Sequence, residues 1–332
     1  MSNVTSAIAR AIRPKFGLSW VAAAISLAIV AAAAVTLLRV FHQIELGGVV
    51  AALKAQSFRG LIVACGFVAA GYFALTCYDV FALRAIGRAN VPYRVAALAS
   101  FTSYTIGHNF GAAIFTSGLI RYRIYSAWGL GVSEIARIAF ITGLTYWLAN
   151  AFVLGFGIAF APGAACAIDR LPASINRLIG LAALLAIGGY MLWLLPGSRT
   201  IGRSSWRVVL PDPPATLVQI AIGSLDLVFV SLAMYALLPA QPAIDFADLI
   251  VVFVMAMLIG IVSYVPGSLG VMEAAMFIGL PQFRREDLLA SLVTFRVLYF
   301  VVPLLLAVVL LGLREVRNVA AGMGSHFISV RK

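Results

Sequence analysis

Ser263-Tyr264-Val265-Pro266-Gly267-Ser268-Leu269-Gly270 sits inside an apolar run that extends over residues 248–280. That run is too long for one helical crossing, which needs about 20 residues. Pro266-Gly267 splits it, because proline removes a helical N–H and glycine favours turns. A similar stretch, Ser103-Tyr104-Thr105-Ile106-Gly107-His108-Asn109-Phe110-Gly111, interrupts the apolar run at 95–117. Breaks at corresponding places in two halves of a membrane chain point to a midplane binding site. The plainer alternative is that glycine is common in membrane helices and the shared S-Y-x-x-G is coincidence.

Composition fixes the solvent. The chain is 63% hydrophobic, 11% charged and has a mean hydropathy of +1.03, so it is expected to lie in a bilayer rather than in water. The apolar runs are long and do not alternate, which excludes a membrane β-barrel. The net charge of +12 would suggest nucleic acid in a soluble protein. Here Lys and Arg fall in the loops, so cytoplasmic anchoring is the expected cause, with no nucleic-acid partner. The basic residues Arg10, Arg13 and Lys15 precede a run of spanning length, which reads as an anchor rather than a cleaved signal. Cys65, Cys77 and Cys166 suggest neither a metal site nor a disulfide framework. Nucleotide-binding, zinc and nucleophile-elbow motifs are absent, so no cofactor is expected.

Apolar runs fall at about 18–38, 60–83, 95–117, 136–160, 175–195, 216–238, 248–280 and 288–312. The loop holding Arg84, Arg88 and Arg94 and the loop holding Arg121, Arg123 and Arg137 both call for the cytoplasm. They share it if 95–117 dips into the membrane and returns. The run at 248–280 then becomes a second hairpin that enters from outside. The reading is an all-α polytopic membrane protein with about six full spans and two re-entrant hairpins, eight apolar segments in all. Segment 1–17 and tail 314–332 are cytoplasmic around a transmembrane domain at 18–313. Its halves, about 18–160 and 175–313, form an inverted-topology repeat.

Three charges fall deep in apolar runs: Asp226, Glu273 and Arg296. Each costs about 2.5–3.5 kcal/mol at a helix centre on insertion scales, so such residues pair or serve function. Glu273 and Arg296 are the candidate pair, joined through a bidentate guanidinium fork. Asp226 has no partner in its own run, and either lines a pathway or is a protonated, hydrogen-bonded structural acid. Asp79 is expected to pair with Arg84 at the interface. Arg121, Tyr122 and Arg123 suit anionic headgroups at the membrane face, although ordinary anchoring would also produce them. Half-helix N-termini at Gly111 and Gly267 would aim N–H groups at phosphate.

The motif Ser103-Tyr104…Asn109-Phe110-Gly111…Gly118…Arg121-Tyr122-Arg123-Ile124-Tyr125-Ser126…Gly129-Leu130 resembles the flippase domain of the lysylphosphatidylglycerol synthase/flippase family, the multiple peptide resistance factors. Pro266-Gly267-Ser268-Leu269-Gly270-Val271-Met272-Glu273-Ala274 looks like the same family's proline-glycine-rich acidic motif. Arg296 with Tyr299 and Pro303, and Asp226 with Tyr235 and Pro239, fit its later helices. The resemblance spans about 20–313. It implies a bacterial inner-membrane protein that moves phospholipid of the phosphatidylglycerol type, without enzymatic activity. The implied pathway residues are Ser103, Tyr104, Asn109, Gly111, Asp226, Pro266, Gly267, Gly270, Glu273 and Arg296, with headgroups met by Arg121, Tyr122 and Arg123. Family members with an aminoacyltransferase carry it after the flippase; the sequence ends at Lys332, so synthesis of the lipid is not expected of it. A non-catalytic subunit that recruits a separate lipid-modifying synthase, or a membrane-embedded transferase, are the rival readings.

Overall fold

The computed structural model describes residues 54, 56–110, 113–197, 199–203 and 206–314. The expected first span at 18–38, Gly111, and the terminal segments 1–17 and 315–332 lie outside the described residues. The protein is a polytopic, mostly α-helical membrane protein with five long apolar helices among the described residues. These are α1 (Phe58–Ala85), α4 (Val132–Phe160), α6 (Ala173–Leu194), α7 (Pro213–Leu237) and α10 (Arg285–Arg314). Between them lie α2 (Tyr93–Phe110), α3 (Ala113–Tyr125), α5 (Gly163–Asp169), α8 (Phe246–Val262) and α9 (Val271–Gly279).

Local chemistry sets the ends. Asp212 caps α7, its Oδ1 accepting from the Ala215 amide at 2.9 Å, and Pro213 and Pro214 occupy the first helical positions, where no N–H is needed. Glu134 reaches back from the first turn of α4 to the Gly131 amide at 2.9 Å, and its other oxygen accepts from Arg88 at 2.6 Å. Two features were not legible as elements. Cys166, expected in a loop, lies in α5. The basic loop after α6 forms an antiparallel hairpin of β1 (Thr200–Arg203) and β2 (Trp206–Val209), with Thr200 opposite Val209 and Arg203 opposite Trp206.

The centre of the bundle is the α1–α7 pair. Ala64, Val68, Leu75 and Tyr78 from α1 meet Val230, Ala233, Met234 and Leu237 from α7. With lipid outside, helices gain little from hiding apolar surface, so close contact and hydrogen bonds hold them together. Gly223 shows how close: a Cβ there would lie 2.4 Å from the Ala149 Cβ on α4 and 3.1 Å from the Tyr78 hydroxyl. On the same α4–α7 seam Gln219 donates to Thr145 Oγ1 at 2.8 Å.

Both interrupted runs fold back. The start of α2 and the end of α3 share one apolar cluster through Val91, Ala96, Ile124 and Tyr125, joined by Leu130, Ile135 and Val208 of the hairpin. Arg314, at the end of α10, donates to the Ile124 carbonyl at 3.2 Å. The segments bearing Arg84, Arg88, Arg94, Arg123 and Arg207 therefore gather at one end of the bundle. The second break does the same at the other end, where Leu249 of α8 and Leu280 after α9 share a cluster with Leu237 and Leu288.

The first hairpin is fastened by a buried ion pair that sequence reading misassigned. Asp79 pairs not with Arg84, which is exposed, but with Arg121 of α3. Arg121 Nη2 donates to Oδ1 at 2.8 Å, Nε to Oδ2 at 3.0 Å, and the Tyr125 hydroxyl adds a 2.8 Å bond to Oδ2. Asp79 is 0% and Arg121 2% exposed. Arg84 reached toward Asp79 only in sequence distance; burial selects the guanidinium that can be enclosed with it.

Removing one member of a buried pair strands the other, at a cost of about 3–5 kcal/mol. Asp79→Asn is therefore expected to lower the thermal midpoint in detergent sharply. A double change, Asp79→Asn with Arg121→Met, is expected to recover much of that loss. Gly223→Leu should destabilise by forcing α7 away from α4 and from the Tyr78 hydroxyl, read by the same thermal melt.

Candidate functional site

Glu273 is the residue around which the second break is organised. α8 ends at Val262, and the chain then passes through Tyr264, Gly267, Ser268 and Gly270, all with positive φ (57°, 62°, 53° and 78°). For Tyr264 and Ser268 that conformation costs roughly 1–2 kcal/mol each, since a Cβ crowds the carbonyl. The geometry holds because its polar groups find partners. The Ser263 hydroxyl donates to the Gly260 carbonyl at 2.6 Å. Glu273 Oε2 accepts from the Gly270 amide at 2.8 Å, closing the first turn of α9. Arg296 Nε donates to Glu273 Oε1 at 2.7 Å, Arg296 Nη2 donates to that same oxygen, and Nη1 donates to the Gly267 carbonyl at 2.7 Å.

This corrects two details of the expected site. The guanidinium does not grip both carboxylate oxygens; it takes one, and the backbone takes the other. The half-helix begins after Gly270 rather than at Gly267, and Pro266–Ser268 is a short 3-10 turn. The N–H of Gly270 is thus already satisfied by Glu273. The cap repeats the one on α4: Gly131-Val132-Ser133-Glu134 and Gly270-Val271-Met272-Glu273 share the pattern G-V-x-E, and in each the glutamate bonds both a glycine amide and an arginine. That signal was present in the sequence.

The end of α2 meets the second break. A Cβ on Gly267 would lie 3.8 Å from the Asn109 carbonyl and 3.7 Å from Arg296 Nη1. Asn109 Nδ2 donates to the Thr105 carbonyl at 2.8 Å and to the Phe300 carbonyl at 3.3 Å. Phe300 stands under the Arg296 guanidinium at 5.3 Å. α10 widens into a π-turn over Val297–Val301, immediately after Arg296. Pro303 cannot donate to the carbonyl four residues before it, Tyr299. The Tyr72 hydroxyl of α1 supplies that bond at 2.9 Å. Tyr299 and Pro303 therefore matter as a pair: one carbonyl freed, one hydroxyl recruited.

Asp226 occupies a different environment. It is 5% exposed. The Tyr78 hydroxyl donates to Oδ2 at 3.3 Å, and Oδ1 has no hydrogen-bond partner. The Tyr78 ring packs edge-on against Tyr104, centroids 5.6 Å apart, and Tyr104 lies under Arg121 at 5.0 Å. Tyr104 thus links Asp226 and Tyr78 to the Asp79–Arg121 pair. Sequence reading missed Tyr72, Tyr78 and Tyr146 because tyrosine in an apolar helix usually signals an interfacial belt.

Of the remaining expected site residues, Ser103 is fully buried and its hydroxyl has no partner. Gly111 lies outside the described residues. Arg121, expected to meet headgroups at the surface, points inward to Asp79, whereas Tyr122 and Arg123 are exposed. Among the described residues no group of three His, Cys, Asp or Glu could hold a metal ion.

No protein-family model matches the chain. It is similar to the uncharacterized protein slr0712 of Synechocystis sp., 29% identical over 265 residues, which are 78% of this chain and 82% of that protein. It is also similar to the inner membrane protein YbhN of Escherichia coli, 29% identical over 257 residues, 75% of this chain and 78% of YbhN.

Proposed function

We propose that this protein is a phospholipid flippase of the bacterial inner membrane, moving an anionic or aminoacylated lipid of the phosphatidylglycerol type between leaflets. One observation carries the reading: the end of α2, where the first apolar run is interrupted, meets the second break beside the Glu273–Arg296 pair. Non-helical backbone at membrane depth is tolerated only where protein buries it or a polar cavity runs past it. Broken helices meeting at an ion pair are the arrangement in which transporters hold a polar group at the midplane. The likeness to YbhN supports the inner-membrane location.

The membrane layout is an inverted-topology repeat of about six spans, counting 18–38, with α2–α3 and α8–α9 as re-entrant hairpins. The arginine-rich end faces the cytoplasm, which places both termini there. The headgroup passes the Glu273–Arg296 pair while its acyl chains stay in lipid. A phosphate competes with Glu273 for the guanidinium, and Arg296 matches its geometry through paired N–H donors. Ser103, Tyr104, Asn109, Gly111, Asp226 and the Pro266–Gly270 turn line or shape this pathway. Tyr122 and Arg123 draw anionic headgroups to the cytoplasmic face, and Arg121 holds that segment in place. On this reading the function is transport rather than catalysis.

Purified protein in proteoliposomes should translocate labelled phosphatidylglycerol or its lysyl ester. Glu273→Gln and Arg296→Ala should each abolish that movement with the fold retained, judged by monodisperse elution. Wild-type rates in both variants would sink the assignment. Movement that appears only when a co-purifying synthase is added would favour the subunit reading.

Topology is tested separately by cysteine labelling in intact cells, with Cys65, Cys77 and Cys166 replaced by serine. Cysteines at Asn90 and Ser126, both exposed, should be labelled from the cytoplasmic side. Labelling from opposite sides would refute the first hairpin.

A further inference from the structure

The described residues bury three acids, and only one of them lacks a cation. Asp79 is held by Arg121 and Glu273 by Arg296. Asp226 has a single hydroxyl at 3.3 Å and an oxygen with no partner at all. An isolated carboxylate in a low-dielectric interior costs several kcal/mol, and the carboxyl can shed that cost by taking up a proton. Acids retained inside membrane helices without an ion partner are characteristic of proton relays.

The groups around Asp226 can pass a proton and cannot fix a charge. α1 presents Tyr72 and Tyr78, α2 presents Tyr104, α4 presents Tyr146 and the π-turn of α10 presents Tyr299. His108 lies beyond Tyr104, ring centroids 6.0 Å apart. α6 carries Arg177 and Tyr190; α8 carries Asp248 in its first turn; α10 carries Arg285, Glu286 and Asp287 in its first turn and Arg296, already bonded to Glu273. None of these pairs with Asp226 among the described residues. A hard metal cation would need a shell of several oxygens, which one hydroxyl and aromatic rings do not supply. Gly71 of α1 packs against this carboxyl: a Cβ there would stand 3.6 Å from Oδ1 and 3.1 Å from Val230.

We propose that Asp226 is a proton-binding site that couples lipid movement to the transmembrane pH gradient. This rests on the flippase reading above. In each cycle Oδ1 of the carboxylate accepts one proton from water on one face. The resulting carboxyl releases that proton to the other face. Tyr78, bonded to Oδ2, and the Tyr104 ring packed against it lead from Asp226 toward the Asp79–Arg121 end.

The test uses proteoliposomes of the full chain with labelled phosphatidylglycerol and an interior pH dye. Either a pH gradient or, at equal pH, a sodium gradient is imposed. The pH gradient should speed wild-type lipid movement by at least about fivefold, a typical coupling between sites, with a matching shift in interior pH. Asp226→Asn should remove that response, and Asp226→Glu, which keeps a protonatable group, should retain it. If Asp226→Asn does not elute as folded protein, Tyr78→Phe replaces it and should slow the response. The proposal is overturned if wild type moves lipid indifferently to pH, if the sodium gradient drives it instead, or if the folded Asn variant responds like wild type. If wild type moves no lipid but carries protons in an Asp226-dependent way, the flippase reading falls and the proton site stands. If it moves neither, both fall.

Discussion

A peptide group that leaves its helix inside a membrane must find a partner in the protein, because the lipid offers none. The Glu273–Arg296 pair answers that constraint at the second break. One carboxylate closes the Gly270 amide and neutralises a guanidinium, and the guanidinium closes the Gly267 carbonyl. Without the pair, the turn that separates α8 from α9 would leave buried backbone groups unsatisfied, at about 1–3 kcal/mol each. The positive-φ residues of the turn would also lose what holds them. The π-turn obeys the same rule through Tyr72 and Tyr299, and the first hairpin is anchored by Asp79 and Arg121.

These polar contacts require helices that approach closely, and the small residues provide it. Gly223 brings α7 against α4, and the same crossing places the Tyr78 hydroxyl beside Asp226. Packing and polarity are therefore one feature. A larger residue at 223 would push apart the helices and lengthen the Tyr78–Asp226 hydrogen bond. Distances along α1 show how the charges are layered. Tyr72, Tyr78 and Asp79 lie within about two turns of one another, roughly 10 Å of rise. They touch in turn the π-turn next to Arg296, the Asp226 carboxyl and the Arg121 guanidinium. One helix thus borders all three buried acidic groups or their partners.

Much of this was legible in the sequence because its signals are local. Run lengths gave the helices, arginine placement gave the shared end of the first hairpin, and Pro266-Gly267 gave the second break. The Glu273–Arg296 pair followed from cost, since an intramembrane charge needs a partner and few were in reach. What was not legible depended on three-dimensional choice. Asp79 had Arg84 five residues away and Arg121 forty-two residues away; only packing decides for the buried one. The hairpin of Thr200–Val209 hid because a four-residue strand in a basic loop carries little periodicity. The tyrosines around Asp226 come from four separate segments, and no spacing rule joins them.

The three acids buried among the described residues divide into two kinds, and the difference is in what surrounds them. Asp79 and Glu273 each have both oxygens bonded and a guanidinium in contact, so their negative charge is fixed and serves geometry. Among the described residues Asp226 has one bond and no cation, so no partner fixes its charge. The proposed transport cycle uses both kinds. In it a phosphate replaces the carboxylate on the guanidinium and opens the fixed pair, which makes that pair the proposed recognition element. An unpaired acid gains nothing from such an exchange, but it can change charge without moving a side chain. Tyr72 and Tyr78, less than two helical turns apart, border the two environments. A shift of α1 that admits a headgroup beside Arg296 would move the Tyr78 hydroxyl relative to Asp226 as well. The proposed coupling needs no longer path than that one rigid helix.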